Sequence, residues 1–162
     1  MDTACRIAGM KIAIGADHAG FELKERIKQR LAAEGFEVCD EGTNSAESVD
    51  YPDYAQKVGE DVAQHRADFG VLVCGSGIGM AIAANKVPGV RAANVSTQWE
   101  AQMSREHNNA NVVAIGARIL DDAEAQLVVG KFLSTAFAGG RHERRVQKIS
   151  AIERHEQTVV SR

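Results

Sequence analysis

Short apolar runs alternate with amphipathic stretches along the whole chain. Residues 11–15 are mostly apolar and predict a first strand; residues 21–34 place Leu23, Ile27 and Leu31 four apart, on one helix face, and Gly35 closes that helix. Residues 37–40 predict a short second strand. A polar loop leads from there to Tyr51-Pro52, where proline suits the first turn of a helix reaching about residue 65. The pattern then repeats. Residues 69–74 predict a third strand, 79–86 a short helix and 90–95 a fourth strand, with a turn at Pro88-Gly89. Ser96 or Thr97 can cap a helix ending at His107, and residues 112–116 predict a fifth strand. Two further helices are expected, over about 122–135 and 142–157, separated by Ala138-Gly139-Gly140.

Strands that are apolar on both faces, each followed by a helix, predict an α/β fold with a parallel sheet covered on both sides. In such sheets ligands bind beyond the carboxyl ends of the strands. Polar candidates collect there: Asp17 and His18 after the first strand, Cys74 and Ser76 after the third, and Arg118 after the fifth.

The third strand has the most telling end. Cys74-Gly75-Ser76-Gly77-Ile78-Gly79 places a thiol before a turn with three glycines in five residues, and a run of good helix formers follows. Such a turn lets backbone N–H groups approach an anion, and the positive end of a helix favours a thiolate. The turn alone is equally compatible with a tight strand-to-helix connection around a small buried cysteine.

Bulk composition limits the partners. The 162 residues, 44% hydrophobic and 5% aromatic, predict one soluble domain with an aliphatic core, residues 1–9 and 157–162 being peripheral. A net charge of -3 gives no electrostatic case for nucleic acid or a membrane surface, so any anion site must be local. No apolar run reaches the length of a membrane span, and the first ten residues carry no signal-peptide core, so a cytoplasmic location is expected. Cys5, Cys39 and Cys74 are odd in number and widely spaced, which disfavours a disulfide framework and a zinc motif.

Three further groups can carry chemistry. Asp17-His18 can supply an acid and an imidazole, although a helix cap with a solvated histidine explains the same residues. His107-Asn108-Asn109 ends a helix, where a histidine also gains simply from the dipole. Arg141 and Arg145, four apart, share a helix face; Arg145 falls within the arc of Val146, Ile149 and Ile152, so its guanidinium is expected against the protein body. Two convergent arginines hold a phosphate well.

A thiol on an anion hole, an imidazole, a carboxylate and a phosphate clamp suit proton transfer beside a carbonyl on a phosphorylated small molecule. Nicotinamide binding fits poorly, because Met80 stands where the dinucleotide fingerprint needs its third glycine and no acid ends the next strand. There is no G-x-x-x-x-G-K-S/T loop, and Met80 also stands where a C-x5-R phosphatase loop would need arginine.

These motifs together closely resemble the type B ribose-5-phosphate isomerases of the sugar-phosphate isomerase family. The matching stretches are Gly15-Ala16-Asp17-His18-Ala19-Gly20, Asp50-Tyr51-Pro52, the Cys74–Gly79 turn with Ala83-Ala84-Asn85-Lys86, Arg105-Glu106-His107-Asn108-Asn109, and Gly140-Arg141-His142 through Arg145. The resemblance implies a Rossmann-like three-layer α/β/α sandwich on a five-stranded parallel sheet. It implies a homodimer, sometimes paired into a tetramer, and a cofactor-free and metal-free interconversion of ribose 5-phosphate and ribulose 5-phosphate in the pentose phosphate pathway. Carried onto this sequence, Cys74 moves the proton between C2 and C1, Ser76 assists at the sugar oxygens, and the amides of Gly75, Gly77, Ile78 and Gly79 hold the enediolate. His107, helped by Asp17, opens the ring; His18, Arg141 and Arg145 hold phosphate, while Tyr51, Asn108 and Arg118 line the site. In the family, His107 and its neighbours come from the partner subunit. One branch uses a carboxylate at the position of Met80, which methionine cannot replace. An isomerase of allose 6-phosphate or galactose 6-phosphate, or a non-catalytic sugar-phosphate-binding subunit, are the alternatives.

Overall fold

A computed structural model describes residues 9–160. Residues 1–8, with Cys5, and residues 161–162 lie outside the described residues, as does most of the extension expected to be peripheral. The elements run β1 (Lys11–Ala16), α1 (Phe21–Ala33), β2 (Glu37–Asp40), α2 (Tyr51–Ala63), β3 (Phe69–Cys74), α3 (Ile78–Ala84), β4 (Ala92–Asn94), α4 (Gln98–Asn108), β5 (Val112–Gly116), α5 (Asp122–Ser134) and α6 (Arg141–Val160). All four strand pairings are parallel, in the order β2-β1-β3-β5-β4.

Side chains alternate across these strands and fill two cores. Ile12, Ile14, Val71, Val73, Val113 and Ile115 face one way, against Leu23, Ile27 and Leu31 of α1 and Val128 and Phe132 of α5. Ala13, Leu72, Cys74 and Ala114 face the other way, against Val58 and Val62 of α2 and Met80 and Ala84 of α3. The three layers expected from the sequence are present. No described helix is long and apolar enough to cross a membrane.

Two elements are shorter than their patterns suggest. α3 stops at Ala84 because the Asn85 side chain leaves the helix to pair with β4: its Nδ2 donates to Ala92 O at 2.9 Å and its Oδ1 accepts from Ala92 N at 2.8 Å. β4 covers only 92–94 rather than 90–95, since the Arg91 N–H is taken by the Asn111 side chain at 2.7 Å and Val90 N turns back to Val87 O. Thr97 is the cap of α4, in a reciprocal arrangement with Glu100. α6 continues to Val160, so the start of the tail extends that helix.

The expectation for Arg145 fails. Val146 is buried, but Arg145 is exposed, and Ile149 and Ile152 are 45% and 66% exposed. The apolar arc of α6 is real; beyond its first turns it borders an open cavity with Val90, Arg91 and Ser104 instead of packing into the core.

Candidate active site

Strand order reverses between β1 and β3, since β1 leads outward to β2 and β3 leads toward β5 and β4. The crevice opened at such a switch point is the natural ligand position in an open parallel sheet. Here it is a cleft of about 430 Å³ lined by Asp17, His18, Tyr51, Cys74, Gly75, Ser76, Gly79 and Arg118, with Ala19 and Ile119. Its size falls within the usual range for small-molecule sites.

Cys74 is the last residue of β3 and is 5% exposed. Its Sγ accepts a hydrogen bond from the backbone N–H of Gly77 at 3.1 Å. The loop can make that bond because Gly77 has φ +80°, and a Cβ there would sit 2.3 Å from Asn94 Nδ2 and 2.9 Å from the Ile115 backbone. Ser76 is exposed at the cleft, and its Oγ accepts from Ile78 N at 3.2 Å. Two of the amides expected to face a ligand are thus engaged by the loop's own sulfur and hydroxyl. α3 has only 7 residues, and the contact made directly to the sulfur is the Gly77 N–H.

The opposite wall comes from the β1–α1 turn. Asp17 is buried, and its Oδ1 accepts from Gly20 N at 3.0 Å, which fixes the turn before α1. Gly20 must be glycine, because a Cβ would lie 2.3 Å from Val73 O. His18 Nδ1 accepts from Val49 N at 3.3 Å, an arrangement that places the proton of a neutral imidazole on Nε2 and makes that nitrogen a donor. Tyr51 packs its ring against Gly79, where a Cβ would be 2.7 Å from Cζ, and the Arg118 guanidinium lies over Gly75.

The remaining expected residues gather elsewhere, at the α4–α6 junction. His107 stacks on His142 with ring centroids 4.2 Å apart and planes 9° from parallel. Partial desolvation, with the positive charges of His107, Arg141 and Arg145, holds the His142 imidazole below its ordinary pKa. The end of α4 is fixed tightly. Arg91 Nε donates to Asn108 O and Asn109 O at 3.2 and 3.0 Å, and the buried Arg105 donates to Asn109 Oδ1 at 2.9 Å and Ala110 O at 2.6 Å. Arg105 also lies 4.7 Å from the Phe69 ring centroid, so this cation is held among aromatics. Asn108 lines a second cavity of about 1030 Å³, with Val90, Arg91, Ser104, Ile149 and Ile152. None of His107, Asn108, Arg141 and Arg145 lines the Cys74 cleft.

The family model described as ribose/galactose isomerase matches residues 12–149. The chain belongs to that family. It is 48% identical to ribose-5-phosphate isomerase B of Escherichia coli over 143 residues, covering 88% of this chain and 96% of that protein. Its structure is similar to that of ribose-5-phosphate isomerase B of Clostridium thermocellum, with a TM-score of 0.90, 49% identity, and 91% and 99% of the two chains covered. It is also similar to the Mycoplasma genitalium enzyme solved with bound ribulose 5-phosphate, with a TM-score of 0.87, 41% identity, and 90% and 97% covered.

In this isomerase-family chain the Cys74 cleft supplies a thiol, a hydroxyl, an imidazole donor and a carboxylate around one small volume. That set can move a proton at carbon and hold an oxyanion. Motif reading did not find the Val49 amide that orients His18, because the irregular 43–50 loop carries no local signal for a contact 31 residues away.

Proposed function

We propose that this chain is a ribose-5-phosphate isomerase, interconverting D-ribose 5-phosphate and D-ribulose 5-phosphate as a cytoplasmic homodimer. The observation that carries the reading is the buried Cys74 sulfur, held by the Gly77 N–H at 3.1 Å on the floor of the switch-point cleft. The names of close relatives, and the ribulose 5-phosphate bound to the Mycoplasma genitalium enzyme, support the substrate.

The reaction is a balanced proton relocation. The Cys74 thiolate takes the proton from C2 of the open-chain aldose, and the electron pair moves onto O1 to give an enediolate. The thiol then returns that proton to C1 while the charge resolves onto O2, which becomes the ketone; the proton of the 2-hydroxyl is passed to O1. Ser76, whose Oγ accepts from Ile78 N at the cleft, assists the oxygen-to-oxygen transfer in this reading. The amides of the Gly75–Gly79 turn that are not engaged by Cys74 and Ser76 stabilise the developing negative charge. No step calls on a metal or cofactor.

Ring opening and phosphate binding require the second group of residues. In the proposal, the partner's α4–α6 junction closes the cleft, so that the partner subunit's His107 opens the furanose ring with Asp17, and the partner subunit's Arg141 and Arg145 join His18 at the phosphate. The exposed Ile149 and Ile152 and the 1030 Å³ cavity beside them are suited to such a dimer contact.

The deciding experiment is turnover of purified protein on ribose 5-phosphate, with allose 6-phosphate and galactose 6-phosphate in parallel. Preferential turnover of the pentose phosphate is expected. Preference for a hexose phosphate would replace the substrate, and no turnover of any of the three would replace the activity.

A further inference from the structure

A second group of reactive side chains lies on the edge strand, outside the cleft. Alternation puts Cys39 of β2 and Glu41, the residue just past its end, on one side, two residues apart. Cys39 is in register with Ala13, whose side chain belongs to the core beneath α2, whereas Val38 packs against the opposite core. Asp61 comes down from α2 onto the same side.

The three groups converge. Cys39 Sγ is 3.1 Å from Glu41 Oε1, and that sulfur and one carboxylate oxygen each from Glu41 and Asp61 all lie within 4.8 Å of one another. Asp61 is only 7% exposed. Its Oδ1 accepts from Arg66 Nε at 2.7 Å, but Oδ2 is buried without a hydrogen-bond partner, the one such side-chain atom among the described residues. A carboxylate oxygen removed from water and left unpaired is costly, and a cation is the partner that such a group best accepts.

We propose that Cys39, Glu41 and Asp61 form a three-ligand site for a borderline-soft divalent cation, with zinc the best match. A thiolate among the ligands selects against magnesium and calcium, which take oxygen ligands. Zinc accepts one sulfur at about 2.3 Å and carboxylate oxygens at about 2.0–2.2 Å, which places tetrahedral ligands roughly 3.3–3.8 Å apart. The spacing here needs only a modest closing movement, and Glu41 and Cys39 lie toward solvent, leaving room for a water as fourth ligand.

Binding releases one proton: the Cys39 S–H bond breaks, its proton goes to solvent, and the sulfur electron pair binds the metal. Without the cation, the hydrogen bond to Glu41, burial, and the Glu41, Asp61 and Asp40 charges push the Cys39 thiol up to about 11. A dication reverses that effect by compensating the same carboxylates. The sequence has no metal motif here because the ligands come from two elements 20 residues apart. None of the three lines the Cys74 cleft. The cation therefore acts as a clip between β2 and α2, beside the loop whose Val49 N–H orients His18.

The test is cadmium and zinc titration of metal-stripped protein in a Cys5→Ser/Cys74→Ser background, where Cys39 is the remaining thiol. One equivalent of cadmium is expected to develop the ultraviolet thiolate-to-metal charge-transfer absorption. Adding Cys39→Ser should abolish it, and Glu41→Gln or Asp61→Asn should weaken binding at least tenfold. Zinc should also raise the Tm of the wild-type protein but not of Cys39→Ser. Absence of the absorption at stoichiometric cadmium would overturn the site. So would binding that is unaffected by Glu41→Gln, which is exposed enough to fold, because the thiol would then be acting alone.

Discussion

The backbone N–H of Gly77 donates to the sulfur of Cys74 at 3.1 Å, across a turn that only glycine can make at that position. That donor fixes the position of the sulfur, and the same turn brings it to the floor of the cleft. Cys74→Ala is expected to lower kcat by at least about 10²- to 10⁴-fold, the contribution of a positioned base. The variant should keep its circular dichroism spectrum and its affinity for ribulose 5-phosphate, since the one side-chain hydrogen bond it loses, from Gly77 N, lies within the loop and the backbone bond from Ala117 N is kept. Steady-state kinetics together with calorimetric binding check this; near-normal kcat would remove Cys74 as the base.

His107 and Cys74 belong to separate surfaces of one chain, so a shared active site needs two chains. Cys74→Ala and His107→Ala, each nearly inactive alone on cyclic substrate, should complement when unfolded and refolded together. Random pairing puts half of the molecules into mixed dimers, each with one intact and one doubly defective site, so activity should recover to about one quarter of wild type. Recovery no greater than the sum of the parents would place both residues in the same subunit's site or outside catalysis.

Much of this arrangement was legible before the fold, and the exceptions share a cause. The Cys74 turn is a local feature, written in consecutive residues at the end of an apolar run, and the structure places it at the switch point of the sheet. The lengths of α3 and β4 were not legible, because Asn85 is drawn out of its helix by the backbone of Ala92. Arg145 was misplaced for a similar reason: helical spacing locates its face but says nothing about whether that face meets the same chain. Lys24 gave no signal either. It sits beside Leu23 in a charged helix, yet it is fully buried because Asp40 and Thr43, 16 and 19 residues away, meet its ammonium.

Arg141 and Arg145 are solvent-exposed in the single chain, and in the proposed function they hold the phosphate. A grip on a group remote from the reacting carbons acts as uniform binding, which changes KM more than kcat. Arg141→Ala and Arg145→Ala should each raise KM for ribose 5-phosphate by about tenfold or more, the loss of one charge-assisted contact, with kcat within a few-fold of wild type. Unchanged KM in both variants would show that the phosphate is held elsewhere.

Asp40 joins the two lysines that anchor the start of the cleft-flanking loop. Its Oδ1 accepts from Lys24 Nζ at 2.7 Å and from Gly42 N at 3.0 Å, and its Oδ2 from Lys28 Nζ at 2.6 Å. Burial alone would raise the Asp40 pKa, but the hydrogen bonds from Lys24, Lys28 and Gly42 outweigh it and lower the value. A carboxylate with a depressed folded-state pKa binds fewer protons folded than unfolded, so its contribution is complete above the unfolded value, about 3.9, and disappears as pH falls through the folded value. Asp40→Asn leaves the buried Lys24 with Glu25 as its remaining anionic partner, 3.0 Å away, and should cost about 3 kcal/mol near pH 7. For a chain of this size that corresponds to a Tm roughly 10 °C lower. The gap between wild type and variant should be constant from pH 7 down to about 5 and shrink below about pH 4, as the wild-type carboxyl takes up its proton. Thermal melts across that range measure the gap; one that persists undiminished at pH 3 would mean that the charge on Asp40 is not what stabilises the loop.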